Sequence, residues 1–163
     1  MNPTLAKVLL WLLVINLGIA FGAGLYESRI VLPQWLGGSA DTPNWNSALA
    51  RRDNTGVNFW VYVTTGPLTL LSLANLIAGR TASGSLRHWW IAAATLVLAD
   101  RLFTFSYFIP TMLKLMTDGS LSGAEATARA LHWQQLNYLR HAIVLAAWLT
   151  ALRTFSLLYR QGY

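Results

Sequence analysis

The stretch HWQQLNYLRHAIVLAAWLTAL, residues 132–152, decides how this chain is interpreted. Its second part is a long apolar run, whereas its first part carries two histidines, an arginine, an asparagine, a tryptophan and a tyrosine. At about 100° per residue, one side of a helix collects Trp133, Asn137, Arg140 and His141. Polar groups at the end of a membrane span are costly unless they face a protein interior or a wet cavity. The stretch therefore predicts a membrane helix that forms one wall of a polar site, and the alternative is an interface segment whose polar ends reach water.

Composition places the chain among membrane proteins. Of its 163 residues, 55% are hydrophobic and only 11% are charged, whereas a soluble domain carries about a quarter charged residues. The length predicts a single domain, residues 1–163. The absence of cysteine excludes disulfides, thiol redox chemistry and iron–sulfur ligation. The net charge of +6 comes from basic residues scattered singly among apolar runs, which predicts a lipid bilayer as partner and no nucleic acid.

Four apolar segments are each long enough to cross a hydrocarbon core of roughly 30 Å. They cover residues 5–27, 57–79, 88–114 and 123–159. Such segments must be helices in lipid, so we predict an all-α four-helix transmembrane bundle. The first run is too long for the apolar part of a signal peptide and lacks a small-residue cleavage site, so we expect it to be retained. Residues 28–56 form a long ordered loop between the first two helices, and their prolines and tryptophans predict a packed cap.

Several short patterns refine this bundle. Gly18 and Gly22 have the spacing that allows close helix packing, within the chain or in a homo-oligomer. Pro67 is expected to kink the second helix, and Pro110 is expected to end or bend the third. A capping box from Ser122 to Glu125 predicts the start of the fourth helix.

The first three spans also carry polar sides. Glu27 ends the first span, Asn58 and Tyr62 share one side of the second, and Asp100 and Tyr107 share one side of the third. In an up-down bundle these positions and the start of the fourth span lie on one side of the membrane. They therefore predict one cavity in the half of the bundle nearest the long loop.

A carboxylate near the middle of a span must be paired, neutral or hydrated. The neighbouring Arg101 is expected to point away from Asp100 by about 100°, so Arg140 on the fourth span is the predicted partner. The distribution of basic residues between the two ends of the bundle predicts that both termini are cytoplasmic in a bacterial inner membrane.

These residues suggest a family. The pattern Trp133-x-x-x-Asn137-x-x-Arg140, with Gly24-Leu-Tyr-Glu27 closing the first span, resembles the small four-helix membrane proteins grouped with the anthrone oxygenases. The resemblance implies a four-helix bundle with a site near Asn137 and Arg140. It also implies that some members oxidise phenolic polycyclic ketones with O2 and without a metal or flavin, so no cofactor is expected, while many members have no assigned activity.

The first functional hypothesis is an oxidoreductase of the cofactor-independent oxygenase type, acting on a small lipophilic aromatic or quinone-like substrate. Such chemistry needs a base and donors that hold an oxyanion. The candidate catalytic residues are Glu27, Asn137, Arg140 and His141. The candidate substrate-binding residues are Asn58, Tyr62, Asp100, Tyr107, His132 and Trp133.

Three alternatives remain open at this point. A carrier or binding protein would pair Arg140 with an anionic ligand. A metal-dependent membrane enzyme could use Glu27, Asp100 and either His132 or His141, since carboxylate and imidazole suit Fe, Zn or Mn. A purely structural polar network could lock the helices together by hydrogen bonds.

Overall fold

The structure is a computed structural model and describes residues 2–39 and 42–160. Four helices are long and apolar enough to cross a membrane, which confirms the predicted all-α bundle and its four spans. We name them α1 (Thr4–Trp35), α3 (Gly56–Arg80), α4 (Gly84–Thr117) and α5 (Gly123–Arg160). The expectation that the first helix ends at residue 27 is wrong, because α1 continues through a wider turn before Pro33 to Trp35. The rest of the predicted loop contains the hairpin strands β1 (Leu36–Ser39) and β2 (Thr42–Trp45) and the short helix α2 (Ser47–Asp53).

The four long helices close into a ring, because α5 packs against α1 and α4, and α3 packs against the same two helices. The apolar core runs along the end of the bundle that contains the termini, where leucines of α1 meet alanines of α4 and α5. Gly18 lets α1 approach α5, since a Cβ there would lie 3.1 Å from the Trp148 ring. Gly22 is exposed and has no atom within 4 Å of such a Cβ among the described residues.

Three of the long helices contain a π-helical segment, in which backbone hydrogen bonds reach back five residues instead of four. The segments are Glu27–Val31 in α1, Gly56–Thr65 in α3 and Thr104–Phe108 in α4. A proline follows two residues after the end of each segment, at Pro33, Pro67 and Pro110.

The prolines explain these segments. The N–H of the residue before each proline donates five residues back, from Leu32 to Glu27, from Gly66 to Val61 and from Ile109 to Thr104. In a regular α-helix a proline lacks the N–H for its turn, and its ring collides with the carbonyl four residues earlier. A wider preceding turn accommodates the ring, so α4 continues beyond Pro110 instead of ending there.

The segment between α1 and α3 is a packed cap, as the sequence predicted. Trp45 of β2 is buried; its indole donates to the Leu115 carbonyl at 2.9 Å, and its backbone N–H donates to Thr127 Oγ1 at 3.0 Å. Arg51 of α2 donates from Nε to the Met116 carbonyl at 3.0 Å. These bonds fix the cap on the end of α4 and the beginning of α5.

The capping box is also present at the start of α5. The backbone N–H of Ser122 donates to Glu125 Oε2 at 3.0 Å, and the Glu125 N–H donates back to Ser122 Oγ at 3.3 Å. Reciprocal bonds of this kind satisfy donors that a helix start leaves free. The predicted helix start near Ser122 is confirmed, because α5 begins at Gly123.

Candidate functional site

A cavity of about 150 Å³ lies under the cap, where the ends of α1, α3 and α4 meet the first part of α5. Its lining is largely apolar and includes aliphatic, aromatic and sulfur-containing side chains. The aromatic residues and methionines among them are Trp35, Trp60, Phe108, Met112, Met116 and Trp133. Three ionisable side chains, Glu27, Arg101 and Arg140, also line it. An apolar pocket with a few convergent polar groups is the usual form of a small-molecule site.

Glu27 is held on one oxygen only. Its Oε1 accepts hydrogen bonds from Trp60 Nε1 at 2.8 Å and from Thr55 Oγ1 at 2.6 Å. Its Oε2 has no hydrogen-bond partner in the described part of the chain. The carboxylate is therefore fixed in orientation while one of its oxygens can still accept a bond from a ligand in the cavity.

Arg140 is supported by aromatic faces. Its guanidinium carbon lies 4.7 Å from the centroid of the Phe108 ring and 5.8 Å from that of Trp60. Both distances are in the range of cation–π attraction. Its Nε is 4.0 Å from Asp100 Oδ1 and makes no hydrogen bond to the described residues. The aromatic contacts thus hold the guanidinium in place, while its N–H groups can still donate hydrogen bonds to a ligand.

Asp100 is paired mainly by its neighbour. Arg101 donates to Asp100 Oδ2 from Nε at 3.0 Å and also from Nη2, and both side chains are buried. The expectation that Arg101 points away is wrong, because its long side chain folds back where an isolated buried carboxylate would be costly. The predicted partner Arg140 makes only the longer contact. Asp100 itself does not line the cavity, whereas Arg101 does.

The second span turns a different side to the cavity from the one expected. Asn58 is exposed and donates to the Asp53 carbonyl at 3.0 Å, and Tyr62 is 72% exposed. The expectation that these two side chains face the interior is wrong, because it assumed 100° per residue through a stretch that is π-helical. Among the side chains of this region that line the cavity, Thr55, Trp60 and Thr65 are spaced five apart, and Val57 and Val61 line it as well.

Two further predicted residues form a pair away from the cavity. Tyr107 Oη lies 3.0 Å from His132 Nδ1, and His132 is exposed. The cavity wall at this height is formed instead by Phe108, one residue further along α4. Neither Tyr107 nor His132 is among the residues that line the cavity.

On α5, only some of the residues predicted to share one side line the cavity, and the others contact a neighbouring helix. Trp133 lines the cavity and donates from Nε1 to the Phe108 carbonyl at 3.2 Å. Asn137 is buried outside the lining and donates from Nδ2 to Ser28 Oγ at 3.0 Å, which ties α5 to α1. Asn137 therefore connects α5 to α1 and does not contribute to the cavity wall.

His141 is buried against α1 and does not line the cavity. A Cβ at Gly24 would lie 2.5 Å from its Nε2, so the imidazole depends on that glycine for space. Neither ring nitrogen has a hydrogen-bond partner among the described residues. His141 therefore lies away from the cavity, although the sequence analysis placed it among the candidate catalytic residues.

Sequence reasoning missed Arg101, Trp60 and Thr55. The sequence did contain an indication for Arg101, since an arginine beside an aspartate in an apolar helix is a candidate ion pair. The other two follow from the five-residue spacing, which the proline at position 67 could have indicated.

No family model, curated protein or solved structure matches the chain. The resemblance to the anthrone-oxygenase group therefore stays a prediction. Within residues 2–39 and 42–160, no three His, Asp or Glu side chains are grouped so that they could hold a metal ion. Glu27 is instead bonded to Thr55 and Trp60.

Proposed function

We propose that this chain is an integral membrane oxidoreductase, oxygenase-like, that acts on a lipophilic aromatic or quinone-like substrate. One observation carries the proposal: Glu27 and Arg140 line the same cavity, yet they form no ion pair with each other. Opposite charges in a poorly solvated site attract strongly. Two such groups held apart by their own neighbours leave space for a polar group of a ligand between them.

The two side chains have complementary chemical roles. Glu27 Oε2 accepts a proton from a phenol or from a carbon acid, and Arg140 donates to the oxygen on which negative charge develops. In the oxygenation of an anthrone-like CH2 group, the enolate formed in this way is oxidised by O2. One oxygen atom becomes the new carbonyl, and the other leaves as water with the two hydrogens of the CH2 group.

The aromatic walls support a flat substrate. Trp35, Trp60, Phe108 and Trp133 all line the cavity. The Phe108 and Trp133 rings meet edge to face with their centroids 5.3 Å apart, and aromatic pairs prefer offset or edge-to-face contacts. The resemblance described above agrees with this substrate class. We further propose a bacterial inner membrane with both termini in the cytoplasm, which places the cap on the opposite side.

The test of the chemistry is Glu27→Gln. Glutamine keeps an oxygen that accepts from Trp60 and Thr55 but has no charge and is not a base. We expect turnover of anthrone, measured as O2 uptake and product formation in nanodiscs, to fall by about 10²–10⁴-fold with little change in thermal stability. Glu125→Gln is the matched control, since it makes the same change at an exposed residue outside the cavity.

Undiminished turnover in Glu27→Gln contradicts the proposed base. The second candidate is a carrier or binding protein, which is favoured by the donors that Arg140 leaves unused. That alternative forecasts tight binding of an aromatic anion by the wild-type protein with no O2 uptake. The two measurements on the same sample therefore separate an enzyme from a binding protein.

A further inference from the structure

We infer that the substrate is a single aromatic or quinonoid ring with an apolar chain, and that the ring reaches the cavity from the bilayer between α3 and α4. The ring chemistry rests on the proposed function. The access route rests independently on the shape of the cavity and on the exposure of the side chains that line it.

The size of the cavity limits what it can enclose. A cavity of about 150 Å³ is comparable to an engineered apolar cavity that takes up one benzene molecule. A fused three-ring compound, such as the anthrone that tests the proposed chemistry, is larger than this space and would have to extend outside it through the opening. The volume therefore favours one enclosed ring, with the remainder of the ligand lying in the opening.

The opening is formed by apolar side chains that belong both to the cavity and to the outer surface. Val57 and Val61 of α3 are 48% and 43% exposed, and Leu113 of α4 is 50% exposed, although all three line the cavity. We call these three residues the mouth. By contrast, the lining residues Trp35, Phe108 and Trp133 are buried. All three mouth residues belong to helices that are long and apolar enough to cross a membrane, so we expect the mouth to open toward lipid.

The outer surface beside the mouth suits an amphiphile. Tyr62 follows Val61 and is strongly exposed, and Phe105 lies one turn before Ile109, which also lines the cavity. Tyrosine side chains at the edge of a bilayer settle at headgroup depth. A ring that enters there can place its oxygen atoms toward Glu27 and Arg140 while its chain remains in the hydrocarbon layer.

Two quinone probes test this inference. Duroquinone is a single ring with only methyl groups, and decyl-trimethyl-para-benzoquinone is the same ring with one long chain. Binding is followed in nanodiscs by quenching of tryptophan fluorescence, since Trp35, Trp60 and Trp133 line the cavity. The variants Val61→Phe and Leu113→Phe fill the mouth without adding an indole. Leu70→Phe is the control, because Leu70 is 71% exposed on α3 but does not line the cavity.

We expect both mouth variants to bind the decyl probe at least about tenfold more weakly, equivalent to removing two methylene groups from contact. Duroquinone affinity should stay within about twofold of wild type, because this probe has no chain that lies in the mouth. The Leu70→Phe control should leave both affinities unchanged. Thermal unfolding of each variant shows whether it is folded.

The inference is overturned if the folded mouth variants bind the decyl probe as tightly as wild type, if they weaken both probes equally, or if wild type binds neither. These outcomes are distinct from failure of the proposed chemistry. If the mouth variants lose binding of the decyl probe and the wild-type protein shows no turnover of anthrone, the access route and the substrate class are supported and only the proposed chemistry fails. Glu27-dependent turnover of anthrone with unaffected decyl binding leaves the enzyme standing and removes the route.

Discussion

At the scale of single residues, the two arginines of the site have different roles. Arg101 neutralises the buried carboxylate of Asp100, whereas Arg140 lies over the Phe108 ring and lines the cavity with its donors unused. Removing Arg140 therefore leaves Asp100 with its main partner. The sequence analysis predicted Arg140 as the partner of Asp100; in the structure Arg101 is the main partner and Arg140 Nε lies 4.0 Å from Asp100 Oδ1.

We expect Arg101→Ala to lower the free energy of unfolding by about 3–5 kcal/mol, because it leaves a buried carboxylate without its partner. Arg140→Ala should cost only about 0.5–2 kcal/mol, the range of a cation–π contact, while it abolishes ligand binding and turnover. Arg140→Lys should keep the fold and lose most activity, since lysine lacks the planar fork that binds an oxyanion by two parallel bonds. Thermal unfolding in detergent and turnover in nanodiscs measure both effects.

Equal losses of stability in the two alanine variants would contradict this division of roles. Wild-type turnover from Arg140→Lys would show that only a positive charge is required. A double substitution of Asp100 and Arg101 by apolar residues of similar size is the matched control. It should recover much of the stability lost in Arg101→Ala, because it removes the buried charge.

At the scale of the helices, the close contact between α1 and α5 depends on Gly24 beside His141 as well as on Gly18 beside Trp148. A Cβ at Gly24 would lie 2.5 Å from His141 Nε2, and no flexible chain end is available to move aside, because the imidazole is buried. Gly22, on the same helix, has open space around the corresponding position. The same substitution, glycine to alanine, should therefore have opposite effects on stability at positions 24 and 22.

We expect Gly24→Ala to destabilise the protein by about 1–3 kcal/mol, the usual cost of overpacking. Gly22→Ala should be neutral or stabilising by up to about 1 kcal/mol, because alanine loses less backbone entropy in a helix. Adding His141→Ala to Gly24→Ala should restore part of the loss, and the coupling between the two changes is obtained from a double-mutant cycle. Additive losses would show that the two side chains do not meet.

At the scale of the whole molecule, the cap is tied to the end of α1 by a charged hydrogen bond. Trp35 Nε1 donates to Asp53 Oδ2 at 2.9 Å. This bond, together with the neighbouring Arg52, lowers the pKa of Asp53 below its usual value of 3.8. Because the folded pKa is below the unfolded one, the contribution to stability is present above about pH 4 and is lost as the pH falls through the folded pKa.

We therefore expect acid to loosen the cap. Pepsin, which is active in acid, should cleave residues 36–53 increasingly as the pH falls below the usual Asp value, while the membrane spans stay protected by their environment. Asp53→Asn should make cleavage of this segment nearly independent of pH over that range. Asp118→Asn is the control: Ser120 lowers the pKa of Asp118, but Asp118 lies outside the cap, so that variant should keep the wild-type pH dependence of cap cleavage.

An unchanged pH profile in Asp53→Asn would show that another group controls the cap. If the pH dependence of cap cleavage disappeared in both variants, the acid response would involve the end of α4 as well as Asp53. Mass spectrometry of the cleavage products identifies which segment opens.

The four spans, the cap and the start of α5 could be predicted from the sequence, because each depends on local physics. Span length follows from the thickness of the bilayer, and the capping box at Ser122 satisfies its own helix start. Glu27, Trp133 and Arg140 were also correctly predicted to lie together, since they stand at matching depths on helices that run up and down.

The side of each helix that faces the cavity was decided only by the tertiary structure. In lipid, an apolar helix gains little by turning one apolar side inward rather than another, so the sequence pattern constrains its rotation weakly. The π-helical turns before the prolines then shift the phase, which turns Trp60 inward and Tyr62 outward. The choice of Arg101 over Arg140 as the partner of Asp100 depends likewise on side-chain packing, because both guanidiniums lie near the same carboxylate.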